Sequence, residues 1–314
     1  MTDERTSPPG KLLLVAAFAA LYIIWGSTYL SIKIATETMP AWPMIAARHG
    51  LAGIVLYSVL RLSGTPPPQR AHWKGGVIGG VMLLVIGNGM IAFVSHRMPS
   101  SMSSMVVATT PIWIVATASV RPGGTAPTAK EWLGLTLGLA GLALLVGPSA
   151  LAAIQGTTGT LDIGAAGLVL LGTISWAIGS VIGRELPRPG NAFMGSAVQM
   201  LSAGALLGIA CLVTGQWPSV HLAAISMRSW IAFAYLIAFG SLLGFTAYVW
   251  LLRVAKTSHV ATYAYVNPIV ALLLGASIGH ESITGGMLVA AGVTLLGVVL
   301  VVMPPFKVAA RTIE

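Results

Sequence analysis

The chain has 314 residues, of which 56% are hydrophobic and only 8% charged, with a mean hydropathy of +0.87 and a formal net charge of +9. Soluble domains carry roughly 25% charged residues, so charge this sparse excludes a water-facing surface over most of the chain and makes lipid its solvent. The basic residues stand singly between apolar runs, which excludes nucleic acid as a partner, and the single cysteine, Cys211, allows no internal disulfide.

About 20 apolar residues cross a bilayer. On that rule the sequence predicts an all-α integral membrane protein with ten transmembrane helices, at about 11–34, 40–61, 73–95, 99–121, 130–147, 162–183, 191–214, 229–252, 257–279 and 283–303. The first run continues from Lys11 to Ile34 without a small-residue cleavage site, so it is read as a retained span. Turn chemistry separates the runs at Thr65-Pro66-Pro67-Pro68, Arg121-Pro122-Gly123-Gly124, Pro187-Arg188-Pro189-Gly190 and Gly215-Gln216-Trp217-Pro218.

Thirteen of the 17 lysines and arginines fall at one set of boundaries, against only Arg97 and Arg228 at the other. The positive-inside rule then puts both termini, including the tails 1–10 and 304–314, on the cytoplasmic side. Trp42, Trp73, Trp132, Trp217 and Trp230 fall at span ends, as interface anchors do.

The chain also repeats itself. Trp25-Gly26-Ser27 returns as Trp176-Ala177-Ile178, and Ala52-Gly53 as Ala203-Gly204, both 151 residues later. Thr110-Pro111 and Asn267-Pro268 are offset by 157, as are Gly87 and Gly244. Two domains follow, 11–147 and 162–303, each of five spans. An odd number of spans per unit forces the second unit to insert upside down, so the expectation is two inverted five-helix repeats.

Ile24-Trp25-Gly26-Ser27-Thr28-Tyr29, Gly87-Asn88-Gly89-Met90, Ser175-Trp176-Ala177, Tyr263-Ala264-Tyr265-Val266-Asn267-Pro268 and His280-Glu281-Ser282 together resemble the EamA family of the drug/metabolite transporter superfamily. No single segment is decisive; in order and duplicated they are specific. The resemblance implies ten helices, a central cavity between the repeats, and export of amino acids, related metabolites or amphipathic toxic compounds. The absence of a dense intramembrane basic cluster argues against phosphorylated cargo.

Candidate residues follow from polar chemistry in apolar runs. Asn267 and Pro268 lie near the middle of span nine, where proline removes a backbone donor and frees a carbonyl beside a side-chain amide. Thr110 and Pro111 are the counterparts in span four, and these two dipeptides are read as substrate contact, gate or kink. Asn88 stands between Gly87 and Gly89, which permit close approach. Tyr263 shares a helical face with Asn267, whereas Tyr265 points elsewhere, so both tyrosines cannot line one cavity equally. Trp25 and Trp176 lie away from their span ends, where an indole can stack on cargo while donating its N–H. Arg48 is about eight residues into span two, roughly 12 Å deep, and is a candidate contact for a substrate carboxylate. For each of these residues the alternative is structural: helix packing, a sealed kink or an interhelical hydrogen bond. The pairs Gly75/Gly79, Gly76/Gly80 and Gly134/Gly138 are read as helix-packing sites.

No Asp or Glu sits deep in a span, which disfavours a midplane carboxylate relay. The expectation is a secondary carrier for a small molecule, without cofactor or metal, as a monomer or a homodimer. A multidrug exporter of the same fold is the alternative. An intramembrane lipid-modifying enzyme lacks its motifs: there is no H-E-x-x-H, no phosphate loop and no Cys/His cluster. A channel lacks a charged ring, and an ATP-driven pump lacks a nucleotide motif.

Overall fold

The computed structural model describes residues 10–97, 100–121, 127–154, 162–279 and 285–302, and every regular element among them is helical. Helix α1 (Lys11–Thr36) and α2 (Ala41–Leu62) are continuous. The third run joins α3 (Arg70–Gly79), a π-helical segment (Gly80–Asn88) and α4 (Gly89–Phe93). Then come α5 (Ser100–Val107), α6 (Thr110–Ser119) and α7 (Ala129–Ile154). The second half runs through α8 (Ile163–Ile182) and α9 (Ala192–Val213). It continues with α10 (Met227–Tyr235), a second π-helical segment (Leu236–Phe245) and α11 (Thr246–Val254). Last are α12 (Thr257–Ala261), α13 (Tyr263–Gly279) and α14 (Gly285–Val302).

Among the described residues, six runs are long and apolar enough to cross a membrane: Lys11–Thr36, Ala41–Leu62, Arg70–Phe93, Ile163–Ile182, Ala192–Val213 and Met227–Val254. Shorter apolar helices cover Thr110–Ser119 and Leu288–Val301. Large apolar side chains such as Leu12, Ile54, Leu171, Ile209 and Leu296 are exposed on the outside. Such a surface is stable only against hydrocarbon.

The duplication seen in the sequence extends to local geometry. Helix α2 ends at Gly64 with φ 85° and α9 ends at Gly215 with φ 66°, conformations that glycine adopts without a Cβ clash. Thr65 N–H donates to Leu60 O at 2.9 Å, and Gln216 N–H to Cys211 O at 2.8 Å. Both are the six-residue bond of a Schellman cap, 151 residues apart. The two π-helical segments also occupy matching places, each inside the third run of its half. A π turn widens the helix and frees carbonyls for other partners. Here each segment gives one to the first helix of the opposite half: Met82 O accepts from Ser175 Oγ at 3.0 Å, and Gly240 O accepts from Trp25 Nε1 at 3.3 Å.

Packing between the halves is reciprocal. Helix α1 lies against α13 and the second π-helical run, while α8 lies against α6 and the first. Helix α2 pairs with α9, and α7 with α14. Glycine sets the closeness of these pairs. A Cβ on Gly53 would stand 2.7 Å from Leu201 N, and one on Gly204 would collide with the backbone of Gly50. A Cβ on Gly134 would meet Gly297 O at 2.7 Å. Gly76 and Gly80 face Val198 and Gln199 of α9 in the same way, so the glycine pairs serve helix packing.

Ion pairs link loop ends. Arg97 binds Asp162 at 2.7 Å, Arg228 faces Glu37 at 3.6 Å, and Arg121 pairs with Glu185. Each joins two positions that the lysine and arginine count assigns to one side. Asp162 also caps α8, its Oδ1 accepting from Ala165 N–H at 2.9 Å. Thr128 and Glu131 form a reciprocal capping box at the start of α7, with bonds of 2.9 and 3.2 Å.

The two prolines behave differently from one another. Thr110-Pro111 breaks the fourth run: α5 stops at Val107 and α6 restarts with Pro111 in its first turn, where a missing N–H costs nothing. Pro268 instead lies inside α13. A break in that run falls upstream, at Thr262, between α12 and α13. A second interruption of that run therefore lies about one and a half turns before Asn267-Pro268.

Candidate functional site

Where α1, α2, α8, α13 and the two π-helical segments converge, they leave a partly open cavity. Both halves line it. Trp25, Arg48, Asn88 and Thr110 come from the first, and Trp176, Gly240, Tyr263 and Asn267 from the second. Among the described residues that line it there is no Asp or Glu.

An aromatic cluster walls one end. Trp25 and Trp176 meet edge to face with ring centroids 5.4 Å apart, and Tyr263 stands edge-on to Trp25 at 4.9 Å. Such contacts contribute beyond area alone. Two glycines admit the indoles. A Cβ on Gly87 would lie 2.8 Å from Trp176 Cε3, and one on Gly244 would lie 2.5 Å from Trp25 Nε1. The Trp176 Nε1–H donates to Tyr248 Oη at 2.9 Å. Ser180 Oγ lies 2.5 Å from that hydroxyl and itself donates to Trp176 O at 2.6 Å. Tyr248, fully buried, thus fixes the orientation of Trp176.

Polar groups adjoin this cluster in the lining. Arg48 is 3% exposed; its Nε donates to Ser241 Oγ at 2.9 Å and its Nη1 to Asn88 Oδ1 at 3.2 Å. Both are interhelical bonds, from α2 to the two π-helical segments. His49, 1% exposed, has no hydrogen-bond partner at either ring nitrogen. Asn267 is buried between α1 and α13, its amide donating to Tyr263 O at 3.0 Å and Tyr22 O at 3.2 Å.

Of the residues singled out in the sequence, the fold gathers Trp25, Arg48, Asn88, Thr110, Trp176, Tyr263 and Asn267 around one space. Pro111 and Pro268 stand beside them in the chain and outside the lining. Tyr265 is turned away. Its hydroxyl donates to Leu135 O at 3.3 Å and its ring presses on Gly138, where a Cβ would lie 2.7 Å from Cε2. It joins α13 to α7, which corrects its assignment to the cavity. The one-residue spacing from Ala264 to either tyrosine rotates them about 200° apart on a helix, and the fold selects Tyr263. Sequence reasoning missed Tyr29, His49 and Phe245 in the lining and Tyr248 behind it. Tyr248 carried one usable signal, its four-residue spacing from Gly244.

A helical membrane protein with a cavity lined from two similar halves, by aromatic and polar side chains together, has the architecture of a transporter. The EamA-like transporter family model matches residues 12–147 and again 163–303. The chain belongs to that family, and is a multi-pass membrane transporter, not an enzyme. It is 37% identical over 307 residues to the uncharacterized inner membrane transporter YedA of Escherichia coli K12, covering 96% of this chain and 94% of that one. A WAT1-related chloroplastic protein of Arabidopsis thaliana is 25% identical over 300 residues, covering 94% of this chain and 70% of that one. Protein PecM of Dickeya dadantii is 26% identical over 299 residues, with 92% and 91% covered. A solved crystal structure aligns over 93% of this chain and 98% of its own with a TM-score of 0.70 at 18% identity, a likeness of fold alone.

Proposed function

We propose that this protein is a secondary carrier of a bacterial inner membrane that exports small metabolites, amino acids with aromatic or other bulky side chains or related amphipathic compounds, by alternating access. Its ten spans form two inverted five-helix repeats, 11–147 and 162–303, with both termini in the cytoplasm. The observation that carries this reading is the reciprocal seating of Trp25 on Gly244 and Trp176 on Gly87 at the wall of one shared cavity. Repeats that exchange the same contact can rock between two equivalent arrangements around a fixed site. The double match to the family model and the matching caps at Gly64 and Gly215 support the duplication. The ion pairs, each within one predicted side, support the orientation. The aromatic wall favours bulky cargo over sugars.

Reconstitution into proteoliposomes tests it. Flux of a panel of amino acids and amphipathic compounds is expected at carrier rates, with Trp25→Ala and Asn267→Ala altering flux while the protein still inserts. If both variants leave every rate unchanged, the site is elsewhere. Flux with no imposed pH gradient identifies facilitated transport; strict dependence on a gradient identifies coupling.

A further inference from the structure

We propose that the cavity selects cargo by charge: an anionic group, typically a carboxylate, is received by Arg48 and His49, and the apolar body rests against Trp25, Trp176 and Tyr263. This rests on reading the cavity as the transport site.

Arg48 is the first ground. A guanidinium offers five N–H donors and carries a permanent charge. Only two donors are engaged, by the neutral acceptors Ser241 Oγ and Asn88 Oδ1. Its Nη2 packs into the notch left by Gly240, where a Cβ would stand 2.8 Å away. Among the described residues, Glu37, Asp162 and Glu185 are paired with other arginines at helix ends, and no carboxylate reaches Arg48. An unpaired charge buried this deeply is strongly disfavoured, and intramembrane charges are retained where they bind something.

His49, next to Arg48 in the chain and beside the same Asn88 side chain, supplies the second ground. Buried polar side chains almost always have a partner. His49 has none at Nδ1 or Nε2, yet it lines the same cavity as the neighbouring guanidinium. A guanidinium without an ionic partner and an imidazole without a hydrogen bond, both lining one cavity, point to a polar ligand rather than to packing alone. The sign of that ligand follows from Arg48.

The third ground is what the lining lacks. With no Asp or Glu among the described lining residues, an ammonium finds no ion partner. Aromatic faces do attract cations. In a low-dielectric cavity, however, the like charge of Arg48 acts over the same distance and is not screened by salt. An organic acid is therefore favoured over the amine with the same body, and the amine of a zwitterion weakens its binding.

A matched trio of ligands tests this on the full-length protein in lipid nanodiscs by titration calorimetry: 3-phenylpropionate, phenylalanine and 2-phenylethylamine. The acid is expected to bind at least tenfold more tightly than the amine, with phenylalanine between. Arg48→Gln should weaken the acid at least tenfold and strengthen the amine, Arg48→Lys should retain part of the acid binding, and His49→Leu should weaken the acid severalfold. The wild-type comparison stands even if a variant fails to fold. An amine that binds as tightly as the acid, with both displaced by Trp25→Ala, overturns charge selection and leaves the cavity as the transport site. If none of the three binds, charge selection and the reading of the cavity as the site for aromatic cargo both fall.

Discussion

Trp25 and Trp176 stand 151 residues apart in the chain and touch edge to face in the fold, with ring centroids 5.4 Å apart and planes at 80°. Each indole also lies on a glycine of the opposite half, Gly244 and Gly87 respectively. Two equivalent positions of a duplicated chain thus meet at the cavity wall. A site built this way depends on both halves at once, and a change in either glycine acts on the tryptophan of the other half.

That dependence predicts the effect of a single methyl. In Gly87→Ala the new carbon would meet Trp176 Cε3 at 2.8 Å, and in Gly244→Ala it would meet Trp25 Nε1 at 2.5 Å. Overpacking of this kind costs about 1–3 kcal/mol. Both variants should lower the thermal unfolding midpoint in detergent and slow transport. Gly167→Ala, with open space around the position, is the control and should change neither.

The two tyrosines of α13 should separate function from packing. Tyr263→Phe removes a hydroxyl from the cavity lining and should shift the half-saturating substrate concentration. Tyr265→Phe removes a 3.3 Å hydrogen bond to Leu135 O, worth about 1 kcal/mol or less. It should leave transport kinetics intact. Equal kinetic effects would return Tyr265 to the list of cavity residues.

Sidedness can be read with thiol labels. In a Cys211→Ser background, single cysteines at Arg97 and Arg228 should react with a membrane-impermeant reagent added outside intact cells. Cysteines at Arg121 and Arg253 should react only after the membrane is opened. Labelling of Arg97 and Arg121 from the same side would end the inverted-repeat scheme.

Asp162 gives a pH dependence outside the membrane. The Ala165 N–H and then the Arg97 guanidinium hold its carboxyl below the ordinary range. A carboxylate depressed on folding stabilises the native state at pH values above its unfolded pKa, about 3.9. That contribution is complete above about pH 5 and fades as the pH falls through 4 and below. Asp162→Asn keeps a capping side chain and loses the ion pair. Its thermal midpoint should lie slightly below wild type at pH 7, with the gap narrowing by pH 3.5.

The sequence by itself determined the solvent, the helices and the duplication. These rest on local or periodic properties: apolar runs long enough to cross lipid, turn residues between them, and motifs such as Trp25/Trp176 and Gly87/Gly244 repeated at fixed offsets. It also marked most of the cavity, because a polar residue in an apolar run has few ways to be satisfied. Arg48, Asn88 and Asn267 stood out for that reason. Only the tertiary structure decided which face of each helix met which neighbour. It turned Tyr263 inward and Tyr265 toward Gly138, placed a break in the ninth run at Thr262, and brought Ser241 to the guanidinium of Arg48. It also exposed His49 as a buried group without a partner. Side-chain direction within a uniformly apolar helix has no signature in hydropathy, since lipid and protein interior are equally apolar. Contact across the halves decides it.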